Sequence, residues 1–471
     1  MTSDAVFIYP PIKFGVTEDN TFPPLGALYI ATYAKKMGLS VKFIDSLIEG
    51  GSAEEIAKGI VKENPKFVCF SVMSCQVLNS LKLASKIKEL NKNIKIVIGG
   101  SHIASTRGEL FKYTNDVDYL MYGEAEKAFY ELYSAKTEED LSKISGLIYK
   151  SGDSIKINPN VPIQNLDELP FPDLSLVKLD RYVSYYVKSL PVSTIMGTRG
   201  CVFRCTFCDQ FATMGREFRH RSPKNIVDEM EQNLKKFKTR DFIFKDSTFT
   251  NNKQWVYDIC REIKKRGLKI NWSCNTRVSM VDENMLKEMK DAGCYMIAFG
   301  IEAGSQHVLN LMKKGTRVEQ AYEATKLCKK AGIETTGYFM IGNPGEKEED
   351  ALKTIKLAKE IDLDYASFGL TIAYPNTEIY FWALENKCLT DKEWYMKETD
   401  GDIILTGEKM GNGTLNREEF TVEKQLELCK RANKEFYFRP SYIIRRISKI
   451  QSFSDIVRNL KAVAKVTNFI S

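Results

Sequence analysis

Short apolar runs alternate with longer stretches of helical period through the first 135 residues. AVFIYP (5–10), SVKFIDS (40–46), KFVCFSVMS (66–74), IKIVIGG (94–100) and VDYLMYG (117–123) are too short for buried helices and read as strands. Between them, LGALYIATYAKKMG and NSLKLASKIKELN space their apolar residues three and four apart, as amphipathic helices do. Strands that are apolar along their whole length, each followed by a helix, predict a parallel sheet covered on both faces, a doubly wound α/β domain. Ligands of such sheets bind at the loops that leave the C-terminal strand ends.

The pattern breaks at residues 151–191, where five of the chain's fourteen prolines fall (Pro159, Pro162, Pro170, Pro172 and Pro191). Proline lacks a donor and restricts its predecessor, so the stretch reads as an extended connector. Alternation then resumes with VSTIMG (192–197), DFIFKD (241–246), KINWSC (269–274), CYMIAFGI (294–301), ETTGYFMI (334–341) and YASFGLTI (365–372) as strands. Helices separate them, one with Ser222 as N-cap and Pro223 at its first position. Six βα units predict a partial (β/α) barrel, whose chemistry sits at the C-terminal strand ends. The expected domains are 1–140, a linker at 141–191, the barrel at 192–380 and a mixed, mainly helical extension at 381–471.

Composition narrows the class. Hydrophobic residues make up 43% of the 471, which supports a large core. No run of eighteen apolar residues and no signal-peptide pattern is present, so the chain reads as cytoplasmic. Eleven cysteines, odd in number and mostly scattered, read as reduced thiols. Nearly all of the net charge of +7 comes from the tail beyond Arg439, so nothing in the remainder supports a nucleic-acid partner. In that tail Phe453, Ile456, Val457, Leu460, Val463 and Ala464 fall on one helical face, with Arg458, Lys461 and Lys465 opposite. The expected helix packs on the protein's own surface; the alternative is peripheral membrane contact near a lipid-like substrate.

The stretch GTRGCVFRCTFCDQ (197–210) puts Cys201, Cys205 and Cys208 in a polar loop directly after the first barrel strand. Thiolates favour zinc or iron–sulfur clusters, and a zinc site would need a fourth ligand that only His220 is near enough to offer. C-x₃-C-x₂-C at this place, with Phe207 before the last cysteine, resembles the radical S-adenosylmethionine (SAM) superfamily. The resemblance implies a [4Fe–4S] cluster held by the three cysteines, its fourth iron chelated by SAM, and release of a 5′-deoxyadenosyl radical on reduction. It extends to four more strand ends over roughly residues 190–380. FKDSTFTNN offers Asp246 to the SAM amino group, with Lys245 standing where an acidic residue is common. WSCNTR places Arg277 to pair with the SAM carboxylate. FGIEAGS puts Glu302 at the ribose or amino group, and GYFMIGNPGE sets Ile341 and Gly342 beside the adenine.

The first domain has no G-x-G-x-x-G after its first strand, which disfavours a dinucleotide. Its loops PPLGALYIA, FSVMS, IGGSHIAS and YGEAE resemble the cobalamin-binding domain that precedes many radical SAM barrels. The resemblance implies cobalamin contacts from Pro24, Leu25, Ser71, Met73, Ser74, Gly99, Gly100, His102, Gly123 and Glu124. Residues 9–20 contain no histidine, so the expected cofactor has no histidine on its lower face.

Together these resemblances imply a cobalamin-dependent radical SAM methyltransferase acting on an unactivated carbon of a small-molecule, lipid or peptide substrate. An external one-electron reductant of flavodoxin or ferredoxin type is implied as well. Two alternatives stay open: a radical SAM enzyme that closes a ring, rearranges or couples carbons, and a cofactor-binding sensor without catalysis. No catalytic side chain is singled out; Cys294, Tyr295 and Tyr338 are candidates for a radical relay and equally for packing. Cys260, Cys274, Cys328, Cys388 and Cys429 lack ligand spacing.

Overall fold

The computed structural model describes residues 3–14, 21–184, 187–389, 391–397 and 413–448. The amphipathic stretch at 453–464 lies outside them. Among the described residues no helix is long and apolar enough to cross a membrane.

The first sheet is built from β1 (Ala5–Tyr9), β2 (Val41–Asp45), β3 (Phe67–Ser71), β4 (Lys95–Gly99) and β5 (Tyr119–Met121), followed by β6 (Leu147–Ser151) and β7 (Ser154–Ile157). Its order is β2-β1-β3-β4-β5-β6-β7, parallel up to β5 and antiparallel beyond. Successive residues feed two separate cores. Val6, Ile8, Val68 and Phe70 pack on one face, while Ala5, Phe7, Phe67 and Cys69 pack on the other. Burial on both sides is why these strands read as unbroken apolar runs. The stretch expected to be a connector from residue 141 instead adds the β6–β7 hairpin to this sheet. Its outer strand is exposed throughout and carries charge, so neither apolar continuity nor clean alternation marks it.

The second sheet comprises β8 (Val192–Ile195), β11 (Asp241–Phe244), β12 (Asn271–Thr276), β13 (Cys294–Glu302), β14 (Glu334–Ile341) and β15 (Tyr365–Leu370). All neighbours are parallel and in chain order, a six-stranded partial barrel. Phe242, Phe244, Trp272, Phe299, Phe339 and Phe368 face the surrounding helices. On the other face, Tyr338 and Ser367 are exposed and Met340 and Gly369 half-buried, leaving a lumen. Helix Val422–Tyr437 closes the open flank at β15. Tyr437 bonds both backbone groups of Ala366, and the Cys429 thiol reaches the Phe368 carbonyl, covering an edge that could otherwise pair with another chain.

Buried charge joins the two sheets. A short antiparallel ribbon, β9 (Thr198–Arg199) and β10 (Arg219–His220), sets Arg199 opposite Arg219. Two like charges side by side are tolerated because Glu124, in the loop after β5, lies between them and accepts from both. Arg199 also pairs with Glu126, and Glu124 accepts the Ile163 backbone N–H at 3.0 Å. All four side chains are 5% exposed or less. Arg221, paired with buried Glu229, adds a bond to the Tyr29 hydroxyl of helix Leu25–Lys36.

Removing one member of a buried ion network strands the others. Arg199→Ala is expected to lower unfolding stability by about 3–5 kcal/mol, whereas Lys143→Ala, at an exposed helical pair, shifts it by less than about 0.5 kcal/mol. Arg199→Lys recovers less than half the loss, because an ammonium cannot bridge two carboxylates in a fixed fork. Urea unfolding followed by tryptophan fluorescence measures all three; equal midpoints for Arg199→Ala and wild type would contradict this account.

Candidate active site

The three-cysteine loop leaves β9 and runs into helix Gln210–Met214. Its backbone is held from several sides: Cys201 N–H to the Gly215 carbonyl, Thr206 N–H to Met312 and Cys208 N–H to Cys205. Cys201, Cys205 and Cys208 are half-buried and form no disulfide. Burial first, then the negative charge of Asp209 and of the other two cysteines, pushes the Cys208 thiol up to about 11. Among the described residues no three His, Cys, Asp or Glu groups are gathered closely enough to hold a single ion. A cubane instead takes each thiolate on its own iron and relieves their mutual repulsion, so the donor set fits a cluster better than zinc.

The other strand ends meet this loop to different degrees. Arg277, after β12, is buried and donates to the Cys205 sulfur at 3.7 Å and to the Lys314 carbonyl, with the Phe203 ring 3.8 Å from its guanidinium. Its Nε has no hydrogen-bond partner among the described residues. Glu302 ends β13 in a left-handed conformation, φ 68°, and pairs with Lys314 at 2.7 Å in a buried setting. Gly300 makes room for that pair, since a Cβ there would meet the Glu302 carboxylate at 2.5 Å and the Lys314 ammonium at 2.8 Å. Phe207 bridges two apolar clusters, one around Ile379 and one around Met312.

Asp246 is placed differently from a free acceptor. It is 1% exposed, its carboxylate takes the Gly197 N–H and the Thr198 hydroxyl, and burial raises its pKa to about 6. It thereby ties the end of β11 to the start of the cysteine loop. At Ile341 and Gly342 the backbone is also engaged. The Ile341 carbonyl accepts from Thr371, and the Gly342 N–H donates to Glu346, a carboxyl that burial pushes up to about 7.

A cleft opens at the C-terminal ends of β1, β3, β4 and β5. Of the residues expected around cobalamin it gathers Ser71, Met73, Gly99, Gly100, Gly123 and Glu124. Gly100 has φ 102°, and a Cβ would strike the Val72 backbone at 2.5 Å, so only glycine fits this floor. Pro24, Leu25, Ser74 and His102 do not line the cleft. Leu25 belongs to an apolar cluster with Ile163 and Leu166. His102 is buried, bonded to Ser74 at 3.1 Å and set against the Tyr395 ring at a tilt of 59°, and burial lowers its pKa to about 3. The far wall of the cleft comes from the barrel: Met196, Arg199, Thr213 and Met214. Tyr374, after β15, is raised in pKa by burial and then by Cys75 of the first domain and Asp209 of the cysteine loop, which brings three segments to one place.

Arg219, Glu126 and Lys314 were not among the expected site residues. Arg219 and Glu126 complete ion pairs with partners far away in sequence, and Lys314 pairs with Glu302 twelve residues before it. The only local signal was a basic residue inside a buried turn, as in RHRSP.

A family model of the Radical SAM superfamily matches residues 195–358, and one of the B12 binding domain matches residues 14–133. An uncharacterized methyltransferase of Pyrococcus horikoshii is 32% identical over 98% of both chains. The anaerobic magnesium-protoporphyrin IX monomethyl ester cyclase of Rubrivivax gelatinosus is 28% identical over 80% of this chain and 69% of its own. The radical SAM methyltransferase TsrM of Kitasatospora setae shares the fold with a TM-score of 0.67 at 20% identity, covering 83% of this chain and 76% of that one. With both domains matched and a relative similar from end to end, the chain belongs to the radical SAM enzymes that carry a B12-binding domain.

Proposed function

We propose that this protein is a cobalamin-dependent radical SAM methyltransferase that methylates an unactivated carbon of a small molecule, with electrons from an external one-electron reductant. One observation carries the reading. The segments flanking Cys201–Cys208 form a wall of the cleft whose other wall is the glycine- and serine-bearing strand ends of the B12-matching sheet. Relatives named as methyltransferases support the same reaction class. When bound, the reduced cluster with SAM supplies a carbon-centred radical, and cobalamin supplies a transferable methyl group.

The chain's own residues then divide the work. Cys201, Cys205 and Cys208 hold the cluster. Arg277, with its open Nε edge beside Cys205, pairs with the SAM carboxylate. Glu302, oriented by Lys314, takes the amino or ribose group, and the Phe207 ring lies under the Lys314 ammonium. Asp246 acts by positioning the loop through Gly197 and Thr198 rather than by direct contact. Ile341 and Gly342 border the adenine. In the first domain Ser71, Met73, Gly99, Gly100 and Gly123 cradle cobalamin, and Glu124 fixes the rim on which it rests. His102, held by Ser74 in the core, does not line the cleft in which cobalamin would sit. Interlocking the two strand-end surfaces excludes water, which a primary radical requires.

Anaerobic reconstitution with iron, sulfide, cobalamin and SAM is expected to give protein that retains cobalamin and forms both 5′-deoxyadenosine and S-adenosylhomocysteine. Deoxyadenosine without homocysteine product or retained cobalamin would move the assignment to the ring-forming chemistry of the cyclase relative. Cys205→Ala is expected to lose the cluster's visible absorption and all SAM cleavage. Ser71→Trp fills the cleft from a half-buried strand end. It is expected to lower cobalamin retention at least about tenfold while iron content stays at the wild-type level; unchanged retention would remove the cleft as the cobalamin site.

A further inference from the structure

Among the described residues the lumen holds a cation that no carboxylate pairs. Lys245 follows Phe244 at the end of β11, and alternation with inward-facing Ile243 points it into the barrel. Its ammonium lies 3.8 Å from the centre of the Phe22 ring, on a segment that enters from the first domain. Among the described residues no carboxylate pairs with it. Neighbouring Asp246 turns away, onto Gly197 and Thr198. By contrast Lys314, also at this end of the barrel, is matched by Glu302.

Lys245 keeps accessible surface on the inner face, and burial lowers its pKa to about 8. Tyr338 on β14 shows the same combination, exposed surface with a pKa raised by burial. Both project from the inner face of the same sheet. A desolvated, uncompensated charge is costly to keep. A cation held over an aromatic face keeps its remaining donors directed at whatever enters. Toward the strand ends this face also carries Asn275 of β12, Tyr338 of β14 and Ser367 of β15, uncharged polar side chains with accessible surface, while the carboxylate of Glu334 stands at the opposite end of β14.

We propose that Lys245 docks an anionic oxygen group of the substrate, a carboxylate or a phosphate, between Phe22 and the barrel wall. The proposal rests on the radical SAM reading, since it is substrate in that lumen that meets the lysine. Arg277 already serves the SAM carboxylate in that reading, so the anion at Lys245 belongs to a different molecule.

The test is reductive methylation of lysines in wild-type enzyme loaded with cluster and cobalamin, read by peptide mass spectrometry. Inorganic phosphate, acetate and SAM are each added alone. Phosphate or acetate is expected to slow labelling of Lys245 at least about fivefold relative to exposed Lys143. The better protector identifies the group as phosphate-like or carboxylate. No protection by either anion, or protection by SAM alone as strong as by the anions, overturns the proposal. In parallel, broadening of the phosphate ³¹P signal is expected to persist in Lys245→Arg and vanish in Lys245→Met; equal broadening in Lys245→Met also overturns it. Wild-type enzyme that cleaves SAM but shows no protection defeats Lys245 alone. Wild-type enzyme that cleaves no SAM defeats the underlying reading.

Discussion

The Glu124 carboxylate, clamped between Arg199 and Arg219, is the contact on which the rest of the arrangement depends. Arg199 stands two residues before Cys201, and Glu124 stands one residue after a glycine that lines the cleft. A change in the docking of the two domains would therefore move the cysteine loop and the cleft floor together. Apolar packing could hold the domains at many small offsets. A buried ion network in which each member has fixed partners cannot slide without stranding a charge, so it fixes register more sharply than area does. A radical generated on one side of a cleft and a group donor on the other need such register, because reactivity falls steeply with misplacement on the scale of one ångström.

Much of the scaffold was legible in the chain, for a physical reason. Strands buried on both faces must be apolar throughout, and the eleven strands expected in the two parallel sheets appear in the expected order. Ser222 and Pro223 marked their helix because capping is local chemistry, and the Ser222 hydroxyl does accept the Asn225 N–H. The β6–β7 hairpin was not legible, since a half-exposed antiparallel edge carries neither signature. The cysteine loop was legible because its spacing is local. The partners that fix it were not. Glu124 meets Arg219 across 95 residues, and sequence position alone gives no hint of that pairing. His102 shows the opposite error: the loop around it resembles a cofactor loop, but the ring is consumed by Ser74 and Tyr395.

The partial barrel trades closure for access. Six strands leave two edges, and the β15 edge is sealed by Tyr437 and Cys429 from the C-terminal helix. At the other side Phe22 and Val187 pack against Val192 and Ile243 on the inner face. A segment of the first domain thus plugs the lower lumen beside β8 and β11. What remains open is the upper part, at the strand ends, where Lys245 and Tyr338 sit. The same packing that stabilises the domain contact therefore leaves the accessible part of the inner face at the end of the barrel nearest the cysteines.

One strained residue sits at this end too. Glu302 adopts φ 68°, a conformation that a side-chain-bearing residue holds at a cost of order 1–3 kcal/mol. The register of β13 against β14 shifts at the same point, between Gly300 and Glu302. Lys314 supplies the compensation through a buried pair that an ordinary β conformation at residue 302 would aim elsewhere. The turn lets one carboxylate leave the alternation of the strand and face the region of Arg277, whose guanidinium bonds the Lys314 carbonyl. Glu302, Lys314, Arg277 and Cys205 thus form one chain of contacts, running from the end of β13 to a cysteine sulfur. A ligand spanning Arg277 and Glu302 would meet groups already fixed in place, so little ordering is left for the moment of binding.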